Sequence, residues 1–419
     1  MANRAYILTL LFVGNLLNFY DRALPAVVLE PIKEEYRLDD TQVGILASAF
    51  VLVAAIAGVP LGRLADRIPR KTVAGWGLFA WSLFTAAGGV LTSFWGFLAS
   101  RVGVGVGESS YSPATGSLLS DLYPSERRSR ANAVFMLGFP IGTLLAFFTA
   151  GGLAVAFDSW RAPFLIAAVP GVLVAFLVLR VREPERGAAE PAQDNNQEMQ
   201  KIRNVRSVYG LIIAFAGYNF AAYAIGTFLT PVLQRYYGLD LVEAGAVGGI
   251  VIGVTGLAGL LVGGRLLDAA ARRSAAARVH VAVACLAGAA VCTAGGLAAG
   301  ADALWLLVLL LSVGYLLGII YLAAAVPVMA DVIRPKQRSG AIGLMSAVGY
   351  LLGGAGGPIV VGIVSDAIAG PGASAAAEAN GLKTAMMIAV PLAFAVAAAG
   401  MLLAARSVQA DREAMLATA

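Results

Sequence analysis

The sequence predicts an all-α polytopic membrane protein, with twelve transmembrane helices in two pseudo-symmetric six-helix bundles and both termini cytoplasmic. Three observations carry that expectation. Of the 419 residues, 59% are hydrophobic and only 13% charged, with a mean hydropathy of +0.79, whereas soluble domains carry about 25% charged residues. Apolar runs of about 20 residues, the length that crosses a bilayer core, recur along the whole chain. The basic residues alternate in density between successive loops, as they do in chains that cross a membrane repeatedly. Together these exclude a soluble enzyme, a nucleic-acid-binding domain and a disordered regulator.

The apolar runs fall at 5–29, 42–62, 72–91, 94–120, 131–155, 162–180, 207–233, 243–264, 275–299, 302–328, 340–366 and 381–405. The first has no small-residue cleavage site behind it and reads as a retained span rather than a signal peptide. Prolines inside the runs, such as Pro140 and Pro327, do not argue against helices, because membrane helices tolerate them. With the N-terminus inside, 23 of the 30 Lys and Arg lie in inside segments. Five lie outside: Lys33, Arg37, Arg161, Arg235 and Lys383. Arg22 and Arg101 fall within spans. That asymmetry orients the chain. The long polar stretch at 181–206 is rich in Pro, Ala, Gln and charge, as linkers are. It divides the sequence into an N-terminal bundle (1–180), a linker (181–206), a C-terminal bundle (207–405) and a cytoplasmic tail (406–419). In a bacterium the location would be the inner membrane.

The two halves repeat. Gly62-Arg-Leu-Ala-Asp66-Arg67 with Arg70-Lys71 after span two matches Gly264-Arg265-Leu-Leu-Asp268 with Arg272-Arg273 after span eight. Asp121-Leu-Tyr-Pro-Ser-Glu-Arg127-Arg128-Ser after span four matches Asp331-Val-Ile-Arg-Pro-Lys-Gln-Arg338-Ser after span ten. Two matches in register point to an internal repeat, which in transporters places a substrate site at the repeat interface.

These residues carry a resemblance to the major facilitator superfamily over nearly the whole chain. GRLADRIPRK (62–71) resembles the superfamily's loop signature between spans two and three. Arg101 with Gly103, Gly105 and Gly107 resembles its span-four signature, and Gly138-Phe-Pro140-Ile-Gly142 its span-five signature. A narrower set resembles the spinster branch, which is associated with export of lysophospholipids and sphingosine-1-phosphate. It comprises Asn18-Phe-Tyr-Asp21-Arg22, Trp81-Ser82 with Thr85, and Gly107-Glu108-Ser-Ser-Tyr111-Ser112-Pro113. The Asn-x-x-Asp-Arg start and the Gly-Glu of span four also resemble organic anion symporters of the same superfamily. The resemblance implies a major facilitator fold in which spans one and four line the cavity. It also implies a conformational gate at Gly62, Asp66, Arg67, Arg70, Arg127, Arg128 and Asp268, in which Asp66 caps a helix and pairs with Arg127 or Arg128.

Four ionisable residues lie within spans of the first half: Asp21, Arg22, Arg101 and Glu108. Each costs about 2.5–3.5 kcal/mol to place at a bilayer centre on insertion scales, so each is a functional candidate. Asp21 and Arg22 point about 100° apart on a helix. Arg101, Gly105, Glu108 and Ser112 share one face of span four. Counting along the spans puts Asp21 level with Arg101, and Glu108 about 10 Å deeper. Free carboxylates titrate near 4, too low to carry protons at neutrality, but one that gains and loses an Arg partner changes its proton affinity with conformation. Asp21, Glu108, Arg22 and Arg101 are therefore the expected proton-coupling set, with Asp21 the main carrier. The expected substrate contacts are Asn18, Arg101, Glu108 and Ser112 in the first half. In the second they are Asn219, Tyr223, Tyr315 and Tyr321, neutral groups on an apolar wall.

Nothing in the sequence calls for a cofactor. One His and two Cys cannot form a multi-histidine or Cys₄ metal site. Cys285 and Cys292 lie roughly 10 Å apart on a helix, too far for a disulfide. The Gly353–Pro358 run lacks the Lys and the preceding strand of a nucleotide loop and reads as close helix packing. No catalytic constellation or ion filter is apparent. The sequence thus points to a proton-coupled secondary transporter working by alternating access. Its cargo reads as a lysolipid-like amphipath or, alternatively, a small organic anion of the sugar-acid type. The expected partners are substrate, protons and membrane lipids, with no nucleic acid, and the chain is expected to act as a monomer.

Overall fold

A computed structural model describes residues 4–185, 205–334 and 337–417, and every regular element among them is helical. The first half forms α1 (Arg4–Val27), α2 (Leu29–Tyr36), α3 (Asp40–Arg67), α4 (Arg70–Gly88), α5 (Phe94–Ser109), α6 (Tyr111–Leu122), α7 (Ser125–Met136), α8 (Gly138–Ala156) and α9 (Ala162–Leu179). The second half forms α10 (Arg206–Arg235), α11 (Leu241–Gly248), α12 (Thr255–Ala271), α13 (Ala275–Ala298), α14 (Leu304–Val332), α15 (Arg338–Val348), α16 (Gly356–Ala369), α17 (Ala375–Ala405) and α18 (Val408–Ala417). Most of the stretch expected as a linker, residues 186–204, lies outside the described residues. Three serines start helices by accepting the backbone N–H three residues on: Ser93 from Gly96, Ser274 from Ala277 and Ser374 from Ala377.

Among the described residues, nine helical segments are long and apolar enough to cross a membrane. The elements α1 and α4 have the length, but Asn15, Asn18, Asp21 and Arg22 in one and Arg70 and Lys71 in the other lower their apolarity. The run expected as an unbroken span over 94–120 is divided at Ser110 into α5 and α6. Similar interruptions fall at Leu137, between α7 and α8, and at Ala355, at the end of a π-helical turn (Gly349–Gly354). Each lies three residues before a proline: Pro113, Pro140 and Pro358. A proline has no N–H to offer the carbonyl four residues back, so the regular ladder gives way there. A second π turn, Gly249–Val254, joins α11 to α12.

The contacts divide the chain into two compact units. Unit 1 holds the described residues up to 37, those from 49 to 185, and 241–249. Its core packs Ile7, Leu11, Leu78, Trp81, Tyr111, Leu119 and Phe135. Here α1 lies along α8, and α4 along α5 and α9. Unit 2 holds 38–48, the described residues from 205 to 240, and those from 250 onward. In it α10 lies along α17 and the π turn Gly349–Gly354, and α13 along α14 and α17. The α4 pairings in unit 1 thus recur as the α13 pairings in unit 2.

The repeat extends to ion pairs. Arg70 at the start of α4 pairs with Asp121 at the end of α6. Arg278 near the start of α13 pairs with Asp331 near the end of α14 at 3.0 Å. Each unit also contains the first turns of a helix that continues in the other: 38–48 belong to unit 2 and 241–249 to unit 1. In unit 1, α11 rests on α8 by backbone approach. A Cβ on Gly245 would stand 2.7 Å from the carbonyl oxygen of Phe147, and one on Gly151 would stand 2.9 Å from that of Leu241.

Candidate functional site

The interior of unit 1 gathers the ionisable residues of α1 and α5. Arg22 donates through Nε to Oε2 of Glu108 at 2.6 Å. The Glu108 side chain is fully buried and that of Arg22 is 27% exposed. The Arg22 guanidinium also lies over the rings of Phe19 and Phe50, at 4.8 and 5.1 Å, a favourable cation–π arrangement. Arg101 is held between Phe97 and Phe164, at 5.5 and 5.2 Å. It lies within electrostatic reach of both Asp21 and Glu108.

Asp21 is 2% exposed. Thr85 of α4 donates to its Oδ2 at 3.4 Å, while its Oδ1 has no hydrogen-bond partner. Glu108 Oε1, Asn18 Nδ2 and Trp81 Nε1 are likewise buried without a partner. A buried polar atom left unpaired costs about 1–3 kcal/mol. The four belong to two near pairs, Trp81 beside Asp21 and Asn18 beside Glu108, which gather polar groups of α1, α4 and α5 in one place. The elements are positioned by packing that has nothing to do with charge. The Tyr111 hydroxyl donates to the carbonyl of Leu11 at 3.0 Å, and Asn15 Nδ2 donates to the carbonyl of Phe135 at 2.8 Å. Counting along straight helices placed Glu108 well below α1's charges, but the long Arg22 side chain spans that interval. Ser112, on the same face of the sequence pattern, is exposed.

At corresponding places unit 2 holds aromatic hydroxyls. Tyr218 of α10 and Tyr321 of α14 have ring centroids 5.5 Å apart, and Tyr223 lies 6.2 Å from Tyr350. Tyr315 is buried. The Tyr321 hydroxyl is buried and without a hydrogen-bond partner. Asn219 uses its Nδ2 on the carbonyl of Phe215 at 2.8 Å, inside its own helix. Tyr218 and Tyr350 are additions to the sequence-derived set. Tyr218 lies one residue off the Asn219–Tyr223 stripe, and helical spacing alone assigns it to another face.

Of the residues expected at the gate, Arg70 is the one the structure sets deepest, at 1% exposed. It binds Asp121, and its Nε donates to Glu183 Oε1 at 2.6 Å. It also reaches Ser117 Oγ at 3.2 Å and the carbonyl of Pro184 at 3.0 Å. Burial pulls its pKa down, but the hydrogen bonds to Asp121 and Glu183 outweigh that and leave it raised. Glu183 also accepts from the Lys71 backbone N–H at 3.2 Å. It lies in the stretch that composition assigns to the linker. Arg128 donates to the carbonyl of Ser120 at 3.0 Å, and Arg67, Arg127 and Asp268 are exposed. Gly62 faces the ring of Pro113. The Asp66 side chain lies outside the described residues, so its expected pairing with Arg127 or Arg128 does too.

The Major Facilitator Superfamily family model matches residues 11–357. An MFS-type efflux pump of Mycolicibacterium smegmatis is 31% identical over 363 residues, covering 86% of this chain and 83% of that protein. Sphingosine-1-phosphate transporter SPNS2 of Xenopus tropicalis is 27% identical over 375 residues, covering 86% of this chain and 73% of that protein. Among solved structures, a bacterial homolog of the human lysosomal transporter spinster, inward-facing and unoccupied, superposes with a TM-score of 0.86 at 25% identity, covering 98% of each chain. With this match extending over the residues that bear the buried charges, the chain belongs to the major facilitator superfamily, as an integral multi-pass membrane transporter, not an enzyme, that resembles the spinster branch.

Proposed function

We propose that this transporter is a proton-coupled secondary carrier of a lysolipid-like amphipath, working by alternating access through twelve spans with both termini in the cytoplasm. The observation that carries this reading is the division of polar groups between the units. Unit 1 keeps Asp21, Arg22, Arg101 and Glu108 in its interior, while unit 2 offers tyrosine rings and hydroxyls at corresponding places. An ionic head group has partners in the first set, and an apolar remainder has partners in the second. Asn18, Arg101, Glu108 and Ser112 are the proposed head-group contacts, with Asn219, Tyr223, Tyr315 and Tyr321 the proposed substrate contacts of unit 2. Asp21 is the proposed proton carrier, since its Oδ1 is unengaged and Arg101 acts on it electrostatically. A change in the distance of that Arg during the cycle changes the proton affinity of the carboxylate, and linkage then ties the conformational equilibrium to pH. On the cytoplasmic side, Gly62, Asp66, Arg67, Arg70, Arg127 and Arg128, with Asp268 at the repeated position in unit 2, form the proposed gate. The relative named as a sphingosine-1-phosphate transporter supports a lipid-like cargo.

The deciding experiment is uptake into proteoliposomes of lysophosphatidylcholine, sphingosine-1-phosphate and sugar acids, each with and without an imposed pH gradient. Lysolipid flux that rises with the gradient is the expected result. Flux of sugar acids alone overturns the lysolipid assignment, and flux indifferent to the gradient overturns proton coupling.

A further inference from the structure

Five of the chain's 13 tyrosines meet in the interior of unit 2. Tyr218 and Tyr223 come from α10, Tyr315 and Tyr321 from α14, and Tyr350 from the π turn Gly349–Gly354. Tyr218 is the centre of the set, with the other four within its electrostatic reach. Glycines make the room. A Cβ on Gly318 would stand 3.1 Å from the Phe394 ring and 3.4 Å from Cε2 of Tyr218. Gly349 and Gly353 set the π turn against Phe215 and the carbonyl of Ala216. The Tyr350 carbonyl there accepts from the Ala355 N–H, five residues on, at 2.9 Å.

Hydrogen bonds do not match this burial. Tyr321 is 0% exposed, Tyr218 6% and Tyr315 7%. The Tyr321 hydroxyl has no partner, and among the described residues those of Tyr218 and Tyr315 make no hydrogen bond either. A buried tyrosine hydroxyl ordinarily finds one. The ring faces, by contrast, are occupied by one another. Tyr218 and Tyr321 lie 5.5 Å apart, and Tyr223 meets Tyr350 edge-on at 6.2 Å and 83°. What the cluster has left to offer is hydroxyl groups, each able to donate and to accept. The surroundings are neutral: from residue 205 onward, every buried polar residue among those described is uncharged. A charged ligand group placed here loses its hydration without a counter-charge. An uncharged group that both donates and accepts has partners.

We propose that Tyr218, Tyr315 and Tyr321 form a subsite that recognises an uncharged hydroxyl of the cargo and so determines specificity. The proposal rests on the lysolipid reading above and deepens it. Loss of one acyl chain leaves a lysophospholipid with a free glycerol hydroxyl, and a sphingoid phosphate also carries a hydroxyl near its head group. A simple alkyl phosphate or phosphocholine has none. Tyr218 and Tyr315 keep a little exposure and are where that hydroxyl arrives, while the Tyr321 hydroxyl is the deepest of the three.

Equilibrium binding to the full chain in nanodiscs tests the subsite. The probes are lysophosphatidylcholine and its deoxy analogue, which lacks only the glycerol hydroxyl. The native protein should hold lysophosphatidylcholine about tenfold more tightly, the worth of one buried hydrogen bond. Tyr218→Phe keeps the ring and removes the oxygen, and should bring the two affinities within about threefold. Tyr321→Phe should lower the ratio as well. A merely structural role would weaken both ligands alike and leave their ratio unchanged. Should Tyr218→Phe fail to fold, Tyr315→Phe and Tyr321→Phe carry the test. Equal affinities in the native protein, or a tenfold ratio that persists in every folded variant, overturn the subsite alone. Binding of neither probe removes the lysolipid reading and the subsite with it.

Discussion

Unit 1 keeps two acids and two arginines in its interior, whereas unit 2, built from the same helix pairings, keeps tyrosines at corresponding places. The scaffold repeats but the chemistry does not. Ion pairs in a low-dielectric interior are held at a net cost or near break-even. A repeat that carries the Arg22–Glu108 pair on α1 and α5 and tyrosines on α10 and α14 places that electrostatic expense where a charge has a task. The gate end follows the same rule. Arg70 is buried among two carboxylates and a carbonyl, while its counterpart Arg278 has one carboxylate partner, Asp331.

The largest expected effect that tests this contrast is on coupling. Asp21→Asn lowers pH-gradient-driven flux at least tenfold while leaving substrate binding within about threefold. Tyr321→Phe leaves the gradient response intact. Loss of the gradient response in the tyrosine variant would erase the functional difference between the units. Stability gives the next largest effect. Arg22→Ala strands a fully buried Glu108 and costs about 3 kcal/mol, whereas Glu108→Gln leaves an arginine that reaches water and costs less. Equal melting-temperature losses for the two variants would contradict the burial difference. Arg70→Ala takes the guanidinium from two carboxylates, Asp121 and Glu183, and costs about 2 kcal/mol more than Arg278→Ala, which takes it from one. Urea or detergent unfolding measures that gap.

Two smaller effects complete the comparison. The buried Tyr321 hydroxyl has no partner, so Tyr321→Phe leaves stability unchanged or raises it by up to about 1 kcal/mol. A clear loss would reveal a partner for the hydroxyl. Outside the spans, Arg161 donates to both oxygens of Glu35, at 2.6 and 2.5 Å, and with Trp160 lowers the Glu35 pKa. A lowered acid contributes stability that is present above its unfolded value, near 4.5. That stability is lost as pH falls through the folded value. The pair is partly exposed, so the loss is below about 1 kcal/mol. Glu35→Gln should flatten that acid limb of the unfolding curve.

Much of this organisation is legible in the residues themselves. An ionisable group in an apolar run is conspicuous, so Asp21, Arg22, Arg101 and Glu108 stand out without a structure. The gate motif identifies Arg70. What stays hidden depends on tertiary distance. Arg22 meets Glu108 because a long side chain bridges helices that counting treats as fixed levels. Glu183 looks like linker because its partner lies 113 residues away. The breaks at Ser110, Leu137 and Ala355 are written in the prolines three residues on. Proline tolerance in membrane helices, however, gives no means of telling these three from Pro25 or Pro231, which lie inside continuous helices. Asp40, Asp366 and Arg235 read as ordinary loop-end charges, because only the fold joins positions 195 and 326 residues apart.

The π turn at Gly249–Val254 lies where the chain passes from unit 1 to unit 2, after Gly249. A π turn amounts to one residue more than an α-helical ladder needs. Before it, Gly245 and Gly248 are set against Phe147, and after it, Gly259 and Gly263 are set against Ile319 and Ile320. The extra residue lets both close contacts keep their own angular phase about the helix axis. This span therefore has a length tolerance that membrane helices ordinarily lack. Removing one residue from within 249–254 returns the turn to regular α-helix and leaves the flanking contacts in phase, whereas a deletion in regular helix turns everything beyond it by about 100°. Adding one lengthens a turn that already departs from the ladder. In the divergence of related chains, single-residue gaps in this span should gather at these six positions, and a deletion at Leu260, where the ladder is regular, should be far more damaging than one at Ile250.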